Sequence, residues 1–548
     1  MPDEKAIAHV MTEDRQPWWK GATIYQIYPR SFADSNGDGV GDLEGIIGGL
    51  DHVASLGVDA IWLSPFFTSP MKDFGYDVAD YCGVDPLFGT LEDFDRLIAK
   101  AHGLNLKVII DQVYSHTSDA HDWFRHSRES REGDKADWYV WADPMSDGSP
   151  PNNWQAVFGG PSWEWDGRRQ QYYMHNFLAS QPDLNVRNRE VQDALLDAAS
   201  FWLDRGVDGF RLDAINFAIH DAELRDNPPS GLAMEKVTRP FDMQDHLYNM
   251  SQPEIPAFLE RVRARLDAYP ERFSVAEVVG PNPVPEMKSF TEGEERLHSA
   301  YNFDFLYAQT ISPARVRRSL EQWNGEAGEG WPSWAFSNHD APRAVSRWAS
   351  PPHRKAAADL LLLLLLSLRG NAFLYQGEEL GLPQGQVGFE DLQDPEAIAN
   401  WPRTLGRDGA RTPFPWTSTD PNAGFSPARP WLPVDAAHQA LALDTQANDP
   451  SSSLNLTRKL IELRKASPAL RWGEIEFLHD DVPVLAFRRR HDGEEILCVF
   501  NLSGEQVDIP DHMAPDFPAL IAACSMPNDQ EKLPRSFGPW AGFWARLS

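Results

Sequence analysis

Residues 106–113 read Leu-Lys-Val-Ile-Ile-Asp-Gln-Val and run directly into Tyr114-Ser115-His116. An apolar run of this length, closed by polar residues, predicts a strand buried on both faces, as in a parallel sheet. The next stretch, residues 114–184, is rich in Trp, Asp, Gly and Pro. At about seventy residues it is far longer than an ordinary connection, so it predicts an inserted lobe.

Similar runs lie on either side. ATIYQIYP (22–29) and DAIWLSP (59–65) come before, and GFRLDAI (209–215), RFSVAEVV (272–279), SWAFSNH (333–339) and NAFLYQG (371–377) come after, with a weaker one near Tyr301–Phe305. Helical patterns separate most of them. Eight strand–helix units predict an α/β fold, a closed (β/α)8 barrel of the TIM type. Beyond a helical stretch at 454–465, VPVLAFRRR, EILCVFNL and FWARLS read as antiparallel strands. The predicted division is a barrel over 1–113 and 185–468, an inserted domain B over 114–184, and a C-terminal antiparallel β-sandwich over 469–548.

The composition narrows the function. The 548 residues carry a net charge of −31 and a pI near 4.8. Such acidity argues against nucleic acid as a partner and against an anionic membrane surface. The leucine run 360–366 is flanked by Arg354, Lys355, Asp359 and Arg369. It is too short to span a bilayer and predicts a buried helix. Cys82, Cys498 and Cys524 are scattered and suggest neither a disulfide framework nor a zinc site. The opening MPDEKAIAHVMTEDRQPWW has no apolar signal core, so a cytoplasmic location is expected. The expected state is a monomer or homodimer, without an organic cofactor.

In a TIM barrel, chemistry gathers at the C-terminal ends of the strands. Here those ends carry Asp111 and His116, Arg211 and Asp213, Glu277, and Asn338-His339-Asp340. One strand-end acid is commonly a helix cap or a loop tie. Polar clusters at the ends of four strands point to a catalytic mouth.

DQVYSH, GFRLDAINF, VAEVVG and FSNHD resemble the four conserved regions of the α-amylase family, glycoside hydrolase family thirteen. GVDAIWLSPFF, QPDLN (181–185) and YQGEELGLP (375–383) are similar to further motifs of that family. WWKGATIYQIYPRSFADSNGDGVGDLEGI resembles its oligosaccharide-cleaving branch, the α-glucosidase and oligo-1,6-glucosidase group. Tyr114-Ser115 departs from the Val-Asn usual before the first histidine. The resemblance implies a retaining glycosidase acting on small oligosaccharides, with Asp213 as nucleophile, Glu277 as acid and base, and Asp340 as a third acid gripping sugar hydroxyls. It implies further that Arg211 keeps Asp213 ionised and that His116 and His339 bond the same sugar ring. Tyr76 would stack on that ring, and Asp77 and Arg411 would bracket its terminal hydroxyl. Ala214 follows the nucleophile where α-1,6-preferring relatives place Val, which implies acceptance of α-1,4 bonds.

The loop Asp34-Ser-Asn36-Gly-Asp38-Gly-Val40-Gly-Asp42 alternates oxygen ligands with glycines, a pattern suited to a hard cation. A solvated acidic turn would read the same way. The resemblance favours one structural Ca2+ or Mg2+, held by Asp34, Asn36, Asp38, the Val40 carbonyl and Asp42. Sucrose isomerases, phosphorylases and transglucosylases share the family machinery. Non-catalytic relatives lose the acids, all three of which stand in this chain.

Overall fold

The computed structural model describes residues 16–280, 283–323, 330–404, 406–478, 483–509, 519–525 and 536–547. The opening MPDEKAIAHVMTEDRQPWW, with its lack of a signal core, falls mostly at 1–15, outside the described residues. Eight parallel strands close into a barrel: β1 (Thr23–Ile27), β2 (Ala60–Leu63), β3 (Lys107–Val113), β4 (Gly209–Asp213), β5 (Phe273–Val278), β6 (Ser299–Asn302), β7 (Trp331–Ala335) and β8 (Asn371–Tyr375). Each strand pairs with its sequence neighbours, and β1 closes the ring on β8. Nearly every strand residue is buried, because helices cover the outside and side chains fill the inside. Local signals set the helices. Asp42 caps Leu43–Ser55, a Thr90–Asp93 capping box opens Leu91–Gly103, and Asn188 caps Arg189–Asp204.

The lobe after β3 contains a three-stranded antiparallel sheet of Trp141–Ala142, Gln171–Met174 and Trp163–Asp166. It returns through QPDLN, where the Leu184 amide donates to the Ser115 carbonyl and Asp183 bridges to His116. The lobe is thereby tied to the very end of β3.

The C-terminal domain is lopsided. A five-stranded antiparallel sheet carries most of it, and a short ribbon of Val507–Asp508 with Ser536–Phe537 packs over one face. The helix Arg354–Leu365 lies between this sheet and the barrel, which explains leucines buried on every side. Two fully buried arginines join the domains through carbonyls. Arg489 donates to Ser367 and Gly473, and Arg464 to Leu366, Gly370 and Leu470.

Candidate active site

Strand register assembles the catalytic group. Arg211 and Asp213 are two residues apart on β4 and so share a face. Asp111 of β3 pairs in register with Arg211, and Glu277 of β5 with Tyr301 of β6. The Arg211 guanidinium has no solvent exposure and meets three carboxyls. It lies 2.8 Å from Asp111, 2.5 Å from Asp213 and in close ion-pair contact with Glu277. Trp62 and Tyr76 also donate to Asp111.

These contacts set the protonation states. Burial pushes Glu277 up to about 7; Arg211 pulls it back, while Asp213 and Asp340 push it further up. Burial likewise lifts Asp213 to about 7 against the pull of Arg211. Two carboxyls facing one guanidinium favour retention of a single proton between them near neutral pH. Asp340 differs. Burial alone would raise it, but His339 beside it and Arg411 and Arg407 hold it well below the carboxylate range. Burial keeps His339 itself neutral, so the cations that matter to Asp340 are the two arginines. His116 is also held neutral, burial taking it down to about 4.

Asp213, Glu277, Asp340, Ala214, Tyr76 and His116 line one cavity of about 990 Å3. Ala214 adopts a left-handed conformation (φ 36°, ψ 41°), which turns its amide back to donate to Glu277 Oε2 at 3.1 Å. Ser115 stands 2.9 Å from His116 Nδ1, and Gln181 of QPDLN reaches both His116 and Asp73. The serine that departs from the usual Val-Asn thus still positions the histidine.

Three expected placements are corrected. The pair that lines the cavity is Asp73–Arg407 at 2.8 Å; Asp77 and Arg411 are not among the lining residues. Asp77 is fully buried behind the wall, where it accepts from Ser69 and from the amides of Lys72 and Asp73. Arg411 is fully buried as well, donating to Asp340 and to the His339 carbonyl. His339 sits behind Tyr76, its ring stacked at 5.4 Å, with its nitrogens engaged by Gln26 and the Tyr76 hydroxyl. Of the two histidines, His116 lines the cavity.

The motifs explain these misassignments. Asp73-Phe-Gly-Tyr76-Asp77 offers an acid on each side of the tyrosine, and Arg407-Asp-Gly-Ala-Arg411 offers two arginines. Only the fold shows which of each pair faces inward. Tyr301 had a weak strand signal and no motif. The opposite wall also escaped motif reading. It is apolar, with Phe177, Phe217, Phe241 and Phe303, and it is crossed by an Arg239–Glu396 ion pair at 2.8 Å.

The acidic loop winds as successive Asx turns. Asp34 accepts from the amides of Asn36, Gly37 and Gly39, Asn36 from that of Asp38, and Asp38 from that of Val40. Asp42 is committed to Ser35 and to the Gly45 amide. The donor chemistry suits a hard cation, but no cluster of three acidic, His or Cys side chains able to hold one occurs among the described residues. No helix among them is long and apolar enough to cross a membrane.

A TIM barrel with two buried carboxyls on one arginine, inside a cavity at the C-terminal strand ends, defines a glycoside hydrolase site. The family comparison agrees. "Alpha amylase, catalytic domain" matches residues 26–473, and "Maltogenic Amylase, C-terminal domain" matches 475–544. The chain belongs to the α-amylase family, glycoside hydrolase family thirteen, and is an enzyme of it. A probable alpha-glucosidase of Rhizobium meliloti (strain 1021) is 50% identical, the match covering 98% of each chain. An oligo-1,6-glucosidase of Heyndrickxia coagulans is 36% identical over 90% of this chain and 94% of its own. The solved alpha-glucosyl transfer enzyme XgtA superposes with a TM-score of 0.91 at 52% identity, covering 97% of this chain and 100% of that one.

The choice between the two acids is testable by paired substitutions. Asp73→Asn should lower kcat/KM on a terminal α-glucoside by about tenfold or more, the order expected for losing a charged hydrogen bond. Asp77→Asn should instead lower Tm and leave kcat/KM of the folded enzyme largely intact. The reverse pattern would place Asp77 at the sugar.

Proposed function

We propose that this enzyme is a retaining, exo-acting α-glucosidase that releases terminal α-linked glucose from short saccharides and accepts α-1,4 bonds. One observation carries the reading. Asp213 and Glu277 share Arg211, and the cavity they line is lined as well by the Asp73–Arg407 ion pair. A buried ion pair reaching the same cavity as the two carboxyls supports recognition of a terminal sugar.

In this mechanism Asp213 attacks the anomeric carbon and forms a glucosyl ester as the glycosidic C–O bond breaks. Glu277 gives its proton to the departing oxygen. Glu277, now a carboxylate, then takes a proton from water, whose oxygen attacks the same carbon and releases Asp213. A second alcohol in place of water gives transglucosylation by the same steps. Asp340, held ionised by Arg411 and Arg407, accepts hydrogen bonds from sugar hydroxyls, and neutral His116 offers a further contact. Tyr76, braced from behind by His339, presents its ring to the sugar. The alpha-glucosidase and oligo-1,6-glucosidase relatives support the substrate class.

Linkage is assigned to Ala214. Its side chain lines the cavity beside Asp213, and a methyl leaves the leaving-group path open. Ala214→Val should shift the kcat/KM ratio from maltose toward isomaltose by up to about a hundredfold, since one or two methyl groups are worth ~1–3 kcal/mol. Valine at a left-handed φ also costs stability, so the ratio is the proper readout. On the wild type, products from maltose and isomaltose should be free glucose and short transfer products, and sucrose should give free fructose beside them. A sucrose isomer or glucose phosphate as the main product would move the enzyme to an isomerase or phosphorylase.

We also propose that the Asp34–Asp42 loop takes one Ca2+ or Mg2+ with a structural role. An oxygen-only donor set on a tight loop supports it. Verified metal removal should lower Tm, because the ligand binds only the folded state. An unchanged Tm would leave the loop as a self-bonded acidic turn.

A further inference from the structure

Tyr301 belongs to none of the family motifs in this chain, yet its hydroxyl lies inside the catalytic group. The side chain is 1% exposed, and its ring packs against Phe373 at 5.7 Å and Trp62 at 6.4 Å. Its hydroxyl touches two partners, Arg211 Nε at 3.1 Å and Glu277 Oε1 at 3.0 Å. We infer that Tyr301 is a positioning residue that anchors Glu277 and dictates which of its oxygens carries the catalytic proton. The inference rests on the acid role proposed for Glu277.

Donor counting fixes the direction of each bond. An arginine Nε–H only donates, so Arg211 must donate to the tyrosine oxygen. The phenolic proton is then left to point at Glu277 Oε1. That oxygen also faces Arg211 Nη2. With the tyrosine proton aimed at Oε1 and the guanidinium charge pressed against the same oxygen, a further hydrogen there would be repelled by both. The acid proton therefore belongs on Oε2. Among the described residues that oxygen accepts one hydrogen bond, from the Ala214 amide at 3.1 Å, and both residues line the cavity. A protonated Oε2 still has a lone pair to accept this amide. Tyr301 and Arg211 thus hold one oxygen of the acid and leave the other to deliver its proton. Register makes the arrangement rigid, because Tyr301 is the strand partner of Glu277.

The charged and titratable neighbours of Glu277 are Asp111, Arg211 and Asp213 from β3 and β4, Tyr301 from β6, and Asp340 beyond β7. Across the cavity stand His246, Arg239 and Glu396. Tyr301 itself stays neutral, since burial raises its ionisation far above the ordinary range. Its hydrogen bond stabilises ionised Glu277, so removing it raises the pH at which the acid is lost.

The test uses the whole enzyme and two variants with opposite expected effects. Tyr301→Phe should move the alkaline limb of kcat/KM to higher pH. It should lower kcat on maltose by about tenfold or more, and kcat on an activated aryl α-glucoside by much less, because that leaving group needs little protonation. Replacement of Tyr301 by 3-fluorotyrosine keeps the ring and strengthens the donor, so it should fold and move the limb to lower pH. Equal losses on both substrates, or an alkaline limb unmoved in both variants, would overturn the inference and leave Tyr301 as core packing. Glu277→Gln separates the two levels. If it lacks the leaving-group dependence, the acid assignment itself fails. If it shows that dependence while the tyrosine variants do not shift the limb, only the role of Tyr301 fails.

Discussion

One buried guanidinium organises this enzyme. Arg211 faces Asp111, Asp213 and Glu277 with no exposure to water. Three carboxylates on one cation in such a place carry excess negative charge, and desolvating each is costly. The group lowers that cost by keeping protons. Burial lifts Asp111, like the other two, to about 7. The proposed mechanism needs one acid and one base in the same site, and this crowding lets protonated and ionised carboxyls coexist there. Arg211, two residues from Asp213 on the same strand face, pulls Asp213 toward its ionised form.

The surrounding shell divides into a charged half and an apolar half. Asp73, Asp394 and Asp340 share Arg407, and Asp340 also takes Arg411. Of these acids, Asp73 and Asp340 line the cavity. The same cavity is also lined by several phenylalanines, which offer flat faces and few hydrogen bonds.

The fold was almost wholly legible in the sequence. Buried parallel strands are continuous apolar runs, so all eight could be found, and even Tyr301–Phe305 overlapped the true strand at 299–302. The polar residues at the ends of these runs stood out in the sequence, and the structure brings Asp213, Glu277, Asp340 and His116 to one cavity. Legibility failed where loops choose between like residues. Asp73 and Asp77, or Arg407 and Arg411, differ by four positions and by nothing chemical; the loop path alone sends one inward. His339 failed for a related reason, because Tyr76 lies in front of it. Tyr301 was missed because its partner, Glu277, is on another strand, and no local pattern reports a cross-strand hydrogen bond. The C-terminal domain showed its strands clearly but not the unequal size of its two layers.

The proposed retaining mechanism requires that Asp213 become covalently bonded to glucose. In Glu277→Gln, an activated glucosyl fluoride should still react, because fluoride leaves without a proton, while hydrolysis of the ester lacks its base. The intermediate should therefore accumulate. Peptide mass spectrometry after an acid quench is predicted to find one added glucosyl unit on the peptide containing Asp213, at that residue. A glucosyl unit on any other residue, or β-glucose released with no adduct at any time, would contradict the mechanism.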